Sequence, residues 1–152
     1  MTARHPQWEQ RLHDLIAANW TRPYEHGAWD CLMWPAAAAK AVTGKDFARG
    51  HRGKYNSLAK AYRHLQTMGF TSPEALLDSL FDEKPIGFAG IGDIVLCRTP
   101  TGDNPGVVIG GDALVVGEDG ESDGLKRVAR KDWLKAWTIG EHHSGPVEIE
   151  RK

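Results

Sequence analysis

Cys31 is the residue in this chain best placed to act as a nucleophile. It follows the loop Thr21-Arg22-Pro23-Tyr24-Glu25-His26-Gly27-Ala28-Trp29-Asp30, which Pro23 and Gly27 punctuate. Asp30 is a good helix cap, and a helix is expected over about residues 31–43, closed by Gly44. The first N–H groups of a helix lack internal partners and present a partial positive charge. A thiol there is more readily ionised, and the same N–H groups can hold a developing oxyanion. Hydrolysis through such a thiol also needs a histidine to take the proton and a polar group to orient that histidine. Free cysteine is also among the most buried residue types, so the position alone does not make a catalyst.

The imidazole nearest in sequence is His26, five residues upstream in the same loop. It is a substitute base if the loop folds back; otherwise it caps backbone or meets solvent. His5, His13, His51 and His64 fall on expected exposed helix faces or in a basic loop, where solvation is the default. His142 and His143 are adjacent near the C-terminus and read as solvated. None of the seven histidines shows a metal-ligand spacing, and no metal or cofactor is expected.

The elements around Cys31 follow from periodicity and punctuation. Residues 6–20 read as a helix, with Trp8, Leu12, Leu15, Ile16 and Asn19 at helical spacing. A third helix is expected from about Ser57 to Met68 with Gly69 as its stop, and a fourth from the Ser72-Pro73-Glu74 start. From Gly87 onward, glycines separate short β-rich runs: Asp93–Cys97, Gly106–Ile109, Ala113–Val116 and Trp137–Ile139. Asp103-Asn104-Pro105-Gly106 reads as a turn between strands. Helices first and strands afterwards predict an α+β fold, N-terminal helices on one face of a C-terminal antiparallel sheet of four to six strands. A single domain over residues 1–152 is expected, its core at about 8–139 and a peripheral tail from 141.

Composition narrows the function classes. The net charge of -1 argues against a nucleic-acid surface. The basic run Arg49–Lys54 and the acidic, glycine-rich run Glu118–Gly124 read as solvated loops. No apolar run approaches the length of a membrane helix, and the N-terminus has no secretory signal pattern, so synthesis in the cytoplasm is expected, with retention there or exit by a route that needs no signal. Two cysteines are too few for a disulfide framework. Most of the six tryptophans are expected in the core, with one or two at a partner surface.

The run Pro23–Cys31 resembles the nucleophile segment of the NlpC/P60 superfamily, papain-like cysteine peptidases that cut bacterial cell-wall peptides. Gly92-Asp93-Ile94-Val95-Leu96 resembles that family's Gly-Asp strand, and Gly106-Val107-Val108-Ile109-Gly110 its next strand. A closer resemblance is to small proteins encoded in phage and prophage tail clusters. It rests on the Asp30-Cys31 helix, Thr43-Gly44-x-Asp46, Gly53-x-Tyr55, the Gly-Asp strand and Ala136-Trp137, in that order over about residues 8–139. The resemblance implies a papain-like α+β fold with Cys31 at the nucleophile position. It also implies a departure, because the family's histidine stands just before the glycine of that second strand, where this chain has Asn104 and Pro105, and neither an amide nor a proline ring is a general base near neutral pH.

Two functions compete on these grounds. In one the chain is an assembly component of a phage tail tip, built on a degenerate peptidase fold, with other tail and hub proteins as partners and the virion tail as its location. In the other it is an active peptidoglycan endopeptidase using Cys31. Amidase or thioester chemistry at Cys31 with an unusual base is a third, weaker reading.

Overall fold

The computed structural model describes residues 3–117 and 124–140. Four helices precede the whole sheet: α1 (Trp8–Asn19), α2 (Met33–Thr43), α3 (Leu58–Thr67) and α4 (Pro73–Leu80). The strands are β1 (Asp82–Lys84), β2 (Ile94–Thr99), β3 (Gly102–Val108), β4 (Asp112–Val116), β5 (Leu125–Ala129) and β6 (Trp133–Thr138). The architecture is α+β, with an open sheet in the order β1-β6-β2-β3-β4-β5 and every pairing antiparallel.

Local chemistry sets the helix ends. Ser57 Oγ accepts from Lys60 N–H and Ser72 Oγ from Ala75 N–H, each filling one orphan donor of a first turn. Gly44 ends α2 at φ 84°, where a side chain would be strained. Among the described residues, no helix is long and apolar enough to cross a membrane.

Strand alternation divides the core. Ile94, Leu96, Val107, Leu114, Val116 and Trp137 face the helices and pack with Trp8, Leu12, Trp34, Ala38 and Val42. Their alternates Val95, Cys97, Val108, Ala113, Val115 and Ala136 form a second cluster on the other face. Ala89 and Trp133 belong to that second cluster, and Ile86 packs against it. Of the six tryptophans only Trp20, at 42% exposure, stands out in solvent.

Periodicity missed two strands, β1 and β5. Asp82–Lys84 and Leu125–Ala129 are short and charged, and they form the two edges of the sheet. Edge strands shed the apolar alternation on which such a reading depends.

The expected turn at 103–106 is corrected. Those residues lie inside β3, and the chain reverses at Pro100-Thr101. Pro105 is tolerated because the β3–β4 ladder ends at Val107 opposite Leu114, before Pro105 would have to donate an N–H. Gly106 is needed for space, since a Cβ there would press on Cys97 Sγ and the Leu114 carbonyl.

Candidate functional site

The loop ahead of α2 is closed on itself. Glu25 N–H donates to the Trp29 carbonyl at 2.9 Å, and Trp29 N–H returns to Glu25 at 2.7 Å. Gly27 sits at the tip with φ 83°, and its carbonyl accepts from Gly53 N–H at 2.9 Å. A Cβ on Gly27 would collide with the Tyr55 carbonyl oxygen, so both the backbone angle and the space require glycine.

Asp30 organises this loop. Its side chain is buried at 2% exposure and accepts four hydrogen bonds. Oδ1 accepts from Leu32 and Met33 N–H at 3.0 and 2.9 Å. Oδ2 accepts from Gly27 N–H at 2.7 Å and from the Tyr55 hydroxyl at 2.8 Å. The Asp30 carbonyl also accepts Trp34 N–H at 3.1 Å, an i to i+4 bond that leads into α2. One carboxylate therefore joins the loop, the helix start and the segment that follows α2.

Cys31 lies in the turn between Asp30 and Met33, half-buried, two residues ahead of the helix rather than inside it. The Asp30 side chain takes the helix-start N–H groups of Leu32 and Met33, which the sequence reading assigned to a thiolate or oxyanion. Tyr55 stands close to both Asp30 and Cys31. Burial first, then the Asp30 charge, raises its hydroxyl far above the ordinary phenol range, so it acts as a fixed donor. Neither cysteine is in a disulfide. Cys97 is on the far side of the sheet, and burial, with a smaller contribution from Asp132, pushes its thiol up to about 12.

His26 is half-buried and meets the Tyr24 ring edge-on, with centroids 4.8 Å apart. Asn104 pairs across the ladder with Cys97, whose side chain belongs to the sheet face turned away from the helices. Its amide donates to Thr99 Oγ1 at 2.9 Å and Thr101 Oγ1 at 3.4 Å, the hydroxyls of its own hairpin. Strand parity thus puts Asn104 on the opposite face from the helix that Cys31 precedes.

One expectation about the histidines changes. His51 and His64 are not simply solvated: His51 Nδ1 and His64 Nε2 are 2.9 Å apart and both residues are half-buried. His142, His143 and the peripheral tail from 141 lie outside the described residues, as do 118–123 of the acidic run. Among the described residues, no three His, Cys, Asp or Glu side chains come together as a metal site.

Two features escaped the sequence reading. Tyr55 was visible in Gly53-x-Tyr55, but nothing in the spacing tied it to Asp30. Asp93 was visible in the Gly-Asp strand, yet its partners Arg4 and Lys84, at 3.1 and 2.7 Å, come from the N-terminal segment and the edge strand β1.

No curated protein matches the chain. A family model described as a domain of unknown function, DUF6950, matches residues 3–139. The chain belongs to that DUF6950 family.

Proposed function

We infer that this protein is an assembly component of a bacteriophage tail tip, built on a papain-like fold of NlpC/P60 type that has lost its chemistry. The observation that carries the reading is Asn104. It stands where the resemblance calls for a histidine, yet it lies on the sheet face turned away from the Cys31 helix, with its amide spent on Thr99 and Thr101, so no base reaches Cys31 from that position. An amide neither takes the thiol proton nor returns one to a leaving amine. The Asp30 shell fits the same reading, because it fixes the loop with neutral donors and, among the described residues, brings no cation to balance a thiolate. The retained Asp30-Cys31 corner is then a structural device.

Such a component works by contact. Phe88, at 76% exposure, and Ile91, at 46%, stand in solvent beside the 86–88 turn and are apolar surface of the kind that neighbouring subunits cover. The expected interface with a tail or hub protein exceeds roughly 1,000 Å² in total. The test is to purify the particle, identify the chain in it, and compare phage carrying Cys31→Ala with the parent. Stoichiometric incorporation and unchanged infectivity support the reading. A free monomer that digests peptidoglycan, with digestion lost in the mutant, overturns it.

One observation favours the alternative, an active peptidoglycan endopeptidase. His26 and Tyr24 meet edge-on in the loop that leads to Cys31, and Tyr55 lies close by. The same digestion assay applied to His26→Ala separates the two readings.

A further inference from the structure

A cavity of about 250 Å³ opens between α2, α3, α4 and the 45–56 connection, and Cys31 is not among its lining residues. Met33, Leu65, Met68, Phe70, Leu77 and Phe81 are among the apolar residues of its wall. It exists because α3 is only lightly seated: of its apolar stripe, Leu65 is buried, whereas Leu58 and Tyr62 remain 56% and 44% exposed. An apolar wall without a partner forgoes dispersion contacts on every side, which favours an apolar occupant.

His51 and His64 interrupt this wall. With His51 Nδ1 and His64 Nε2 2.9 Å apart, one must donate and the other accept. The remaining nitrogens, His51 Nε2 and His64 Nδ1, have no hydrogen-bond partner among the described residues. A neutral pair offers one N–H and one lone pair at those positions. A pair holding one extra proton offers two N–H groups and a positive charge.

The surroundings favour an anion there. Lys54 is close enough to act on His64, and the Tyr55 ring lies 5.9 Å from it with its hydroxyl committed to Asp30. Glu74 and Asp78 of the adjoining α4 are engaged by Lys135. No carboxylate among the described residues is within ion-pair distance of either ring.

We propose that this cavity binds a small amphiphilic carboxylate, with a single alkyl chain or ring among the leucines and phenylalanines and its carboxylate on the His51–His64 pair. The volume lies just below the usual range of ligand pockets, so the apolar part is short. Binding a carboxylate favours the protonated pair, so the complex takes up a proton. Burial now holds His64 below the ordinary imidazole range, His51 and Lys54 adding to the effect, and the ligand charge reverses that trend.

The experiment is calorimetric titration of the full chain with octanoate, in two buffers of different ionisation enthalpy, at pH 6 and pH 8. Expected is saturable one-to-one binding with proton uptake, about tenfold tighter at pH 6. Octanol should bind about tenfold more weakly and move no proton. Leu65→Trp fills the cavity and should abolish binding. If that variant fails to fold, His64→Gln leaves the apolar wall intact and decides the matter: proton uptake vanishes and the affinity falls to that of octanol. Absence of saturable binding at millimolar octanoate overturns the proposal. So does equal affinity for octanol, or proton uptake that survives in His64→Gln.

Discussion

Two carboxylates are buried among the described residues, Asp30 and Asp93, each 2% exposed, and they are satisfied in opposite ways. Asp93 is answered by charge. Arg4 reaches Oδ1 at 3.1 Å and Lys84 reaches Oδ2 at 2.7 Å, while the N–H groups of Gly90 and Ile139 complete its shell. Arg4 also donates to the Ile91 and Ile139 carbonyls and lies over the Trp8 ring. This cluster ties the N-terminus, the edge strand β1, the 86–92 turn and the end of β6 into one clamp. Among the described residues, Asp30 meets only N–H groups and a phenol, with no cation within ion-pair distance. The difference teaches what each site is for. A buried ion pair locks remote segments together at a large cost if broken. A ring of neutral donors shapes one loop and leaves its net charge uncompensated, directly beside Cys31.

The largest effect is expected at the clamp. Asp93→Ala leaves the Arg4 guanidinium and the Lys84 ammonium without their counter-charge, which costs about 3–5 kcal/mol. Urea unfolding, read as a midpoint shift at constant slope, measures it. A loss below about 1 kcal/mol would mean that the cations reach water when released, and the contrast with Asp30 would fail.

Asp30→Ala comes next. It removes the acceptor for three N–H groups and the Tyr55 hydroxyl, and about 2–3 kcal/mol is expected because some of those donors regain water. Tyr55→Phe isolates one of the four bonds at nearly constant volume, and about 1.5 kcal/mol is expected from a hydrogen bond to a charged acceptor. A double-mutant cycle of Asp30→Ala with Tyr55→Phe checks both, since the second change should cost little once the carboxylate is gone. Full additivity would show that the two side chains do not act together.

Exposed ion pairs supply the scale against which both buried sites stand out. Hydrogen bonds from Lys135 and Trp137 hold Asp78 below the ordinary carboxyl range, and Arg52 does the same for Asp46. A depressed folded-state pKa adds stability above the unfolded value, near 3.9, and that stability is lost as pH falls through the folded value. Asp78 is 44% exposed and Asp46 25%, so solvent screening limits each to about 0.5 kcal/mol. Removing both with Asp46→Asn and Asp78→Asn should flatten the unfolding midpoint between pH 5 and pH 3 only slightly.

The same contrast explains what the sequence made legible. Asp30 as a cap, Gly44 as a stop and the Ser57 and Ser72 starts are local signals, acting within a few residues, and the helices follow from them. The apolar alternation of β2 and β4 also reads directly. Partners separated by long stretches of chain do not: Tyr55 is 25 residues from Asp30 and Arg4 is 89 from Asp93. The histidine pair was hidden for the same reason, since His51 lies in a loop and His64 on α3, and neither position looks buried from its neighbours. Asn104 was misread because Asp-Asn-Pro-Gly has turn composition, whereas the ladder with β2 continues through it.

The smallest stability effect is expected at Cys31, and it sharpens the comparison most. The Asp30 bonds run through backbone groups and Tyr55, so none of them needs the thiol. Cys31→Ala should therefore change the unfolding free energy by less than about 1 kcal/mol, the usual range for a half-buried position. Thiol labelling of the native parent protein supplies the matching reactivity measurement. Cys97 is fully buried and its thiol is pushed up to about 12, so near pH 8 it stays in the unreactive thiol form. Iodoacetamide should mark Cys31 alone, and peptide mapping will show which site carries the adduct. A loss above about 2 kcal/mol in Cys31→Ala would instead make the thiol part of the loop's own scaffold. Adduct on Cys97 before global unfolding would mean that the far face of the sheet opens first, and that the clamp at Asp93 holds less firmly than the ring of donors at Asp30.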